Sequence, residues 1–362
     1  MDVTLTANDR FIVPRHPYAK GIHVLKGTVA RLAHSARLLI AFLHRPRGTR
    51  RLVRCAPFAA LCLALLGPAG GALARERAHP SSPEAHHVKA HPHSVRHARR
   101  PPRPHLLPRC GYNAAAARRL HSRAIYVLDV KSNTVLLSRR AHEVRPIASI
   151  SKLMMAVVAR STHRPLNGML RVTAQDRDRI KFTGSRLKVG SRLSRRDMLH
   201  IALMSSENRA AAALSRDYPG GRPAFIAAMN RKARQLGMRH THFENASGLS
   251  PHNVSTAADL AKLVAYAHRD PLIRRFSTDK WDTVHPGRGQ LVYVNSNALI
   301  RLGHAPIQLQ KTGFINESGH GVVMRMLVRG RPQTLVLLGS RTPRGDIADA
   351  IQIRRWLDCS LS

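Results

Sequence analysis

Apolar positions change period along this chain. Ala124 to Val130 (AIYVLDV) is a short run rich in apolar and β-branched side chains, which predicts a buried strand. Lys131-Ser132-Asn133 follows as a turn and Thr134 to Ser138 as the hairpin partner. Strand signals then vanish for about 150 residues, and apolar positions recur at helical spacing instead. Helical runs begin near Ser149 (SISKLMMAVVA) and near Arg196 (RDMLHIALM), extend from Asn208 through Leu214, and resume after Pro223 (AFIAAMNRKARQLG), ending at Gly237. Thr256, with Asp259 three residues on, predicts a cap for a helix over Ala257 to His268, because the hydroxyl can accept from an orphan amide of the first turn. Strands return at Ile307 to Gln310, at Val322 to Val328 and, after a Gly330 turn, at Thr334 to Gly339; an amphipathic helix over Ile347 to Leu357 closes the pattern. A hairpin, a helical middle, three late strands and a final helix predict an α+β fold: one antiparallel sheet with helices on both faces and a helical subdomain.

The first hundred residues do not share this pattern. Arg45, Arg47, Arg50, Arg51 and Arg54 precede an apolar run from Cys55 to Leu66, then Gly67, Pro68, Gly70, Gly71 and Ala72-Leu73-Ala74. A positive region, a short apolar stretch and an A-x-A site, in that order, predict an export signal cleaved after Ala74. The run is shorter than the roughly 20 residues a membrane-spanning helix needs. Residues 75–109 carry seven Pro and seven His, the composition of a linker that cannot bury a core. Its histidines show no fixed metal-ligand spacing. The expected organisation is therefore an N-terminal extension with a signal over 1–74, a basic Pro- and His-rich linker over 75–109, and a folded part over 110–362, delivered to the periplasm.

Charge changes the picture less than its size suggests. The formal net charge of +40 divides as +9 over residues 1–74, +6 over 75–109 and +25 over 110–362, so it is not a basic tail on a neutral domain. Aromatic residues are only 4% of the chain, which argues against the stacking surfaces of single-stranded nucleic-acid binders. Export would remove Cys55 and Cys62 and leave Cys110 and Cys359. In an oxidising compartment these are expected to form a disulfide, provided the two ends of the folded part meet.

Three short motifs carry the candidate chemistry. Ser149-Ile150-Ser151-Lys152 is an S-x-x-K at a predicted helix N-terminus. At this spacing hydroxyl and amine share a face, so that the amine can take the hydroxyl proton, and the helix end favours developing negative charge. Ser206-Glu207-Asn208 falls in a break between two helical runs, where small polar side chains can line a cleft or simply make a turn. Lys311-Thr312-Gly313 falls at the end of a predicted strand. There Gly313 lets a substrate backbone approach the strand edge, while Lys311 and Thr312 offer donors to a carboxylate. A lysine serves as base only if its pKa falls, and burial plus the like charge of Lys311 would both lower that of Lys152.

With these motifs in this order, the chain resembles the penicillin-recognising serine peptidases. Residues 142–160, 197–221, 243–260 and 311–326 are similar to the low-molecular-mass D-alanyl-D-alanine carboxypeptidase and endopeptidase family, and Ser205-Ser206-Glu207-Asn208-Arg209-Ala210 and Lys311-Thr312-Gly313-Phe314 to its endopeptidase branch in particular. The resemblance covers roughly residues 123–357. It implies a β-lactamase/DD-peptidase-like fold, Ser149 as acylated nucleophile, Lys152 as its base, and Ser206 and Asn208 across the cleft, with Ser206 relaying a proton to the leaving amine. It further implies Lys311 and Thr312 on the substrate carboxylate, and the amides of Ser149 and Phe314 as oxyanion hole. Glu207 in the second motif would tune the acceptor side or point outward. No E-x-x-L-N segment lies between Asn208 and Lys311, so β-lactams are expected to trap the protein as covalent inhibitors rather than be destroyed. The expected activity is cleavage of D-alanyl cross-links between peptidoglycan stem peptides, with no metal or organic cofactor and no nucleic-acid partner. Removal of a terminal D-Ala is the near alternative, and a non-catalytic cationic wall-binding protein is the alternative of another class. The second β domain and amphipathic membrane helix of many relatives are not expected after Ser362, so no transmembrane anchor is expected.

Overall fold

The computed structural model describes residues 103–303 and 306–362. The expected export signal and most of the expected linker lie outside the described residues. In chain order the helices are α1 (Ala114–Arg118), α2 (Ser151–Arg160), α3 (Arg195–Met204), α4 (Asn208–Arg216), α5 (Gly221–Gln235), α6 (Ala257–Ala267), α7 (Pro271–Thr278), α8 (Ala298–Leu302) and α9 (Gly345–Ser360). The strands are β1 (Ala124–Asp129), β2 (Thr134–Arg139), β3 (Arg145–Pro146), β4 (Met169–Arg171), β5 (Arg192–Ser194), β6 (Val254–Ser255), β7 (Trp281–Val284), β8 (Leu291–Val294), β9 (Ile307–Ile315), β10 (Gly319–Val328) and β11 (Arg331–Ser340).

The expected antiparallel sheet has five strands in the order β2-β1-β11-β10-β9, which leaves β9 at an edge. Successive side chains point to opposite faces, and both faces are covered. Ala124, Val336, Val323 and Leu309 pack on one face with the apolar sides of α2, α3 and α6. Ile125, Val127, Leu335, Leu337, Val322 and Met324 pack on the other with Ile353, Trp356 and Leu357 of α9. The same alternation places Lys311, paired with Val323, on the helical side, and Thr312, paired with Val322, on the opposite one. α4, α5 and α7 complete the subdomain on the Lys311 side, whereas Ala116 of α1 and Leu299 of α8 pack with α9. The cap of α6 is as the sequence predicts, Thr256 accepting from the Asp259 amide at 3.1 Å.

Two expectations change. Strand signals do not vanish through the middle: β3 pairs β6, β4 pairs β5, and β7 pairs β8. These strands have two to four residues each, too few to display an alternation. The strand predicted to end at Gln310 runs on to Ile315, so Lys311-Thr312-Gly313 lies inside it. No helix among the described residues is long and apolar enough to cross a membrane.

The ends of the folded part do meet. Cys110 and Cys359 are disulfide-bonded with their Cα atoms 5.6 Å apart. The bridge closes a loop of 249 residues, and a native bridge of this kind stabilises by roughly 2–5 kcal/mol, largely by restricting the unfolded chain. Asp349 of α9 adds a second tie, accepting from the amides of His121 at 2.9 Å and Ser122 at 2.6 Å just before β1.

Candidate active site

The first motif sits where a 3₁₀ turn, Ala148–Ile150, becomes α2. Ala148 is held at φ +48°, a conformation disfavoured for a residue with a Cβ, and it turns Ser149 toward the cleft. Two glycines permit the packing behind it. A Cβ on Gly248, at φ +83°, would lie 2.0 Å from the Ala148 carbonyl oxygen and 2.8 Å from the Ser149 nitrogen. A Cβ on Gly313 would lie 2.8 Å from the Ile147 carbonyl oxygen. The sequence reading gives the space at Gly313 to a substrate, whereas the structure gives it to the backbone around Ser149, the Ile147 carbonyl and the Ile150 amide.

Lys152 is fully buried. Its Nζ lies 2.7 Å from Ser149 Oγ, 2.8 Å from Asn208 Oδ1 and 2.5 Å from the Ser247 carbonyl oxygen. Asn208 is itself oriented, because its Nδ2 donates to Thr183 Oγ1 at 3.1 Å. These partners define how a neutral amine would point. It has two N–H bonds and one lone pair; a carbonyl and an amide oxygen can only accept, so they take both hydrogens and leave the lone pair directed at the Ser149 hydroxyl. Burial, reinforced by the nearby charge of Lys311, holds the Lys152 pKa well below its ordinary value, with Glu207 and Asp178 pulling weakly the other way.

Lys311 is equally buried, its Nζ donating to the Thr312 carbonyl at 2.8 Å. Burial brings its pKa down to about 7. It therefore faces the cleft from inside the protein, charged below that pH, rather than as a surface donor. Thr312 does reach the cleft, with its Oγ1 2.6 Å from Ser296 Oγ. Ser296 is held beside β9 by a buried amide network: Gln310 Nε2 donates to Asn295 Oδ1 at 2.9 Å, and Asn295 Nδ2 to the Ser277 carbonyl at 3.0 Å.

Ser206 adopts φ +64° between α3 and α4. Glu207 after it does not point outward. It is 9% exposed, accepts from Ser185 Oγ at 2.7 Å and Tyr293 Oη at 3.3 Å, and caps α4 through the Arg209 amide at 3.1 Å. Its negative charge and burial together push the Tyr293 hydroxyl pKa upward, burial contributing most.

A cavity of about 290 Å³ opens in front of these groups, lined by Ser149, Ser206, Ser296, Thr312, Gly313 and Phe314, and on its far side by Arg301, His320, Arg344 and Asp346. Phe314 is half-exposed and stacks on His320 with ring centroids 4.3 Å apart. The structure thus gathers Ser149, Lys152, Ser206, Asn208, Lys311, Thr312, Gly313 and Phe314 around one cleft. Sequence reasoning misses Thr183, Ser296, Arg301, Arg344 and the Ser247 carbonyl. The first four are common residue types outside any motif, and a main-chain carbonyl leaves no side-chain signal. Among the described residues no group of three or more His, Cys, Asp or Glu is placed to hold a metal ion.

Known proteins share this arrangement of elements. The chain is 46% identical over 242 residues to a D-alanyl-D-alanine endopeptidase of Pseudomonas aeruginosa, an alignment that covers 66% of this chain and 78% of that one. It is 44% identical over 234 residues to a D-alanyl-D-alanine endopeptidase of Escherichia coli, covering 64% and 76%. The crystal structure of the Streptomyces K15 DD-transpeptidase superposes with a TM-score of 0.62 at 23% identity, covering 66% of this chain and 98% of that one, and so shares the fold. Residues 112–342 match the profile of peptidase S11, D-alanyl-D-alanine carboxypeptidase, and the chain belongs to that family.

Proposed function

We propose that the protein is a serine D-alanyl-D-alanine endopeptidase that cleaves peptidoglycan cross-links through an acyl-enzyme on Ser149. The observation that carries this reading is the wholly buried Lys152 amine, aimed at Ser149 Oγ from 2.7 Å. Lys152 accepts the hydroxyl proton as Oγ attacks the D-alanyl carbonyl carbon. The backbone amides of Ser149 and Phe314 hold the resulting oxyanion, each such donor contributing about 3 kcal/mol. Collapse of the tetrahedral species breaks the C–N bond, and Ser206 relays the proton from Lys152 to the departing amine. Water then repeats the sequence on the ester and restores Ser149. Thr312, with Arg344 and Arg301 behind it, receives the carboxylate beside the scissile bond, and the buried charge of Lys311 draws it there.

Endopeptidase rather than carboxypeptidase action is supported by the names of the relatives at 46% and 44% identity, and by a cleft that remains open beyond Thr312 toward Arg301 and Arg344. Cross-linked stem peptides are the substrates on this reading, and β-lactams acylate the same serine. The Arg-rich segment before Cys55 and the A-x-A at Ala74 support export to the periplasm. Incubation with purified dimeric and monomeric muropeptides tests the choice. Conversion of dimers to monomers is expected; release of free D-Ala with the dimers untouched would overturn it.

A further inference from the structure

Phe314 is the wall between two cavities. On one side is the catalytic cleft. On the other is a polar cavity of about 560 Å³, bounded by Arg123, Arg145, Arg341, Asn316 and the turn from Glu317 to Gly319. We propose that this second cavity binds a carboxylate on the acyl half of the peptide substrate, upstream of the bond that is cut. The inference rests on the DD-peptidase reading and adds a subsite to it.

Charge is the first ground. Glu143 is the carboxylate for three arginines at once, with Arg123 at 2.9 Å, Arg145 at 2.7 Å and Arg140 at 3.7 Å. One anion cannot satisfy three five-donor forks, so guanidinium donors remain for a further anion. Arg145 Nε is buried without a hydrogen-bond partner among the described residues. Arg341 on the rim is exposed and, with Arg123 and Arg145, makes a third guanidinium lining the cavity. The acidic residue that lines the cavity, Glu317, is already paired with Lys181.

Shape is the second ground. Gly339, at φ +77°, lies under the Arg145 guanidinium; a Cβ there would come within 2.6 Å of its Nη2. The absent side chain is what lets the arginine lie across the cavity floor.

Direction is the third. On the proposed reading the leaving half of the substrate lies toward Thr312 and Arg344. The acyl half then departs from Ser149 the other way, past Phe314. Phe314 lines both cavities, so an extended substrate chain, at about 3.3 Å per residue, enters the second cavity within two or three residues of Ser149. A side-chain carboxylate two or three residues upstream of the scissile bond therefore reaches the arginines. Guanidinium forks match carboxylates in geometry as well as charge.

The test uses two cross-linked model peptides, identical except that the acyl half carries at this position either a free carboxylate or its carboxamide. KM for each is measured with the wild-type protein and with the Arg123→Gln/Arg341→Gln double variant. A charge-assisted contact of this kind corresponds to roughly tenfold or more in affinity. In the wild type, amidation is expected to raise KM roughly tenfold with little change in kcat; in the double variant, which keeps Arg145, the ratio of the two KM values is expected to fall severalfold toward one. Because the ratio is taken within each protein, a general loss of folded protein does not mimic the effect. Normal cleavage by the wild type with equal KM for both peptides, or a ratio unchanged in the double variant, would overturn the subsite and leave the DD-peptidase reading standing. A wild type that cleaves neither peptide would overturn that reading and the subsite with it.

Discussion

The two sides of the catalytic cleft use positive charge in opposite ways. Behind Ser149, Lys152 and Lys311 are wholly enclosed, and burial rather than any ion pair sets their proton affinity. In front of it, Arg301 and Arg344 are exposed on the cavity wall, where water and salt screen them. Lysine suits the enclosed side because its amine can lose a proton when desolvated; arginine suits the open side because it keeps its charge in any setting. Substitutions behind the serine should therefore change the pH dependence of acylation, and substitutions in front should change substrate affinity and its response to salt.

The largest expected effect is Lys152→Ala, which removes the proposed base. Penicillin acylation of Ser149 should slow by about a thousandfold, with the fold retained by circular dichroism. Lys311→Met tests whether the enclosed charge acts through Lys152. Acylation needs neutral Lys152, and Lys311 lowers the pKa of that amine. Without Lys311 the amine holds its proton to higher pH, so the acid limb of the rate profile should move up in pH, with a loss of about a hundredfold near neutrality. A limb that stays in place would separate the two lysines.

On the open side, Arg344→Gln should raise KM for a carboxylate-bearing substrate about tenfold. The acid limb should not move, and the wild-type KM should rise with ionic strength more than that of the variant. The smallest expected effect is Glu207→Gln, which keeps an acceptor oxygen for Ser185 and the Arg209 amide, turns an amide NH2 toward the Tyr293 hydroxyl, and removes a charge that raises the Lys152 pKa. The amine then loses its proton at lower pH, so the acid limb should move down, opposite to Lys311→Met, with a change of only about two- to fivefold at neutral pH. Rate profiles of acylation measured across pH on both variants check the opposed signs.

The same contrast explains which parts of the site could be read in the sequence. Ser149, Lys152, Ser206, Asn208 and Lys311 stand in short motifs with fixed local spacing, and the long strands and helices around them show their periods plainly. The disulfide could be anticipated from count, because on the export reading only Cys110 and Cys359 are left to pair. What could not be read is whatever depends on packing. Gly313 looks like a strand end because glycine weakens strands, yet β9 runs through it, since the missing side chain admits the Ile147 carbonyl. In the sequence Glu207 can as well tune the cleft as point outward, and only Ser185 and Tyr293, 22 residues before it and 86 after it, make it a buried carboxylate. The Ser247 carbonyl that fixes the Lys152 amine is backbone, brought in by a glycine turn 95 residues away.

The central claim, that Ser149 is the nucleophile and Lys152 its base, is tested most directly by mass spectrometry of the protein after incubation with penicillin. A single adduct is predicted on the proteolytic fragment that contains Ser149, formed by the wild type and absent from Ser149→Ala. An adduct of equal occupancy on Ser149→Ala, or one that maps to another residue in the wild type, would contradict the account.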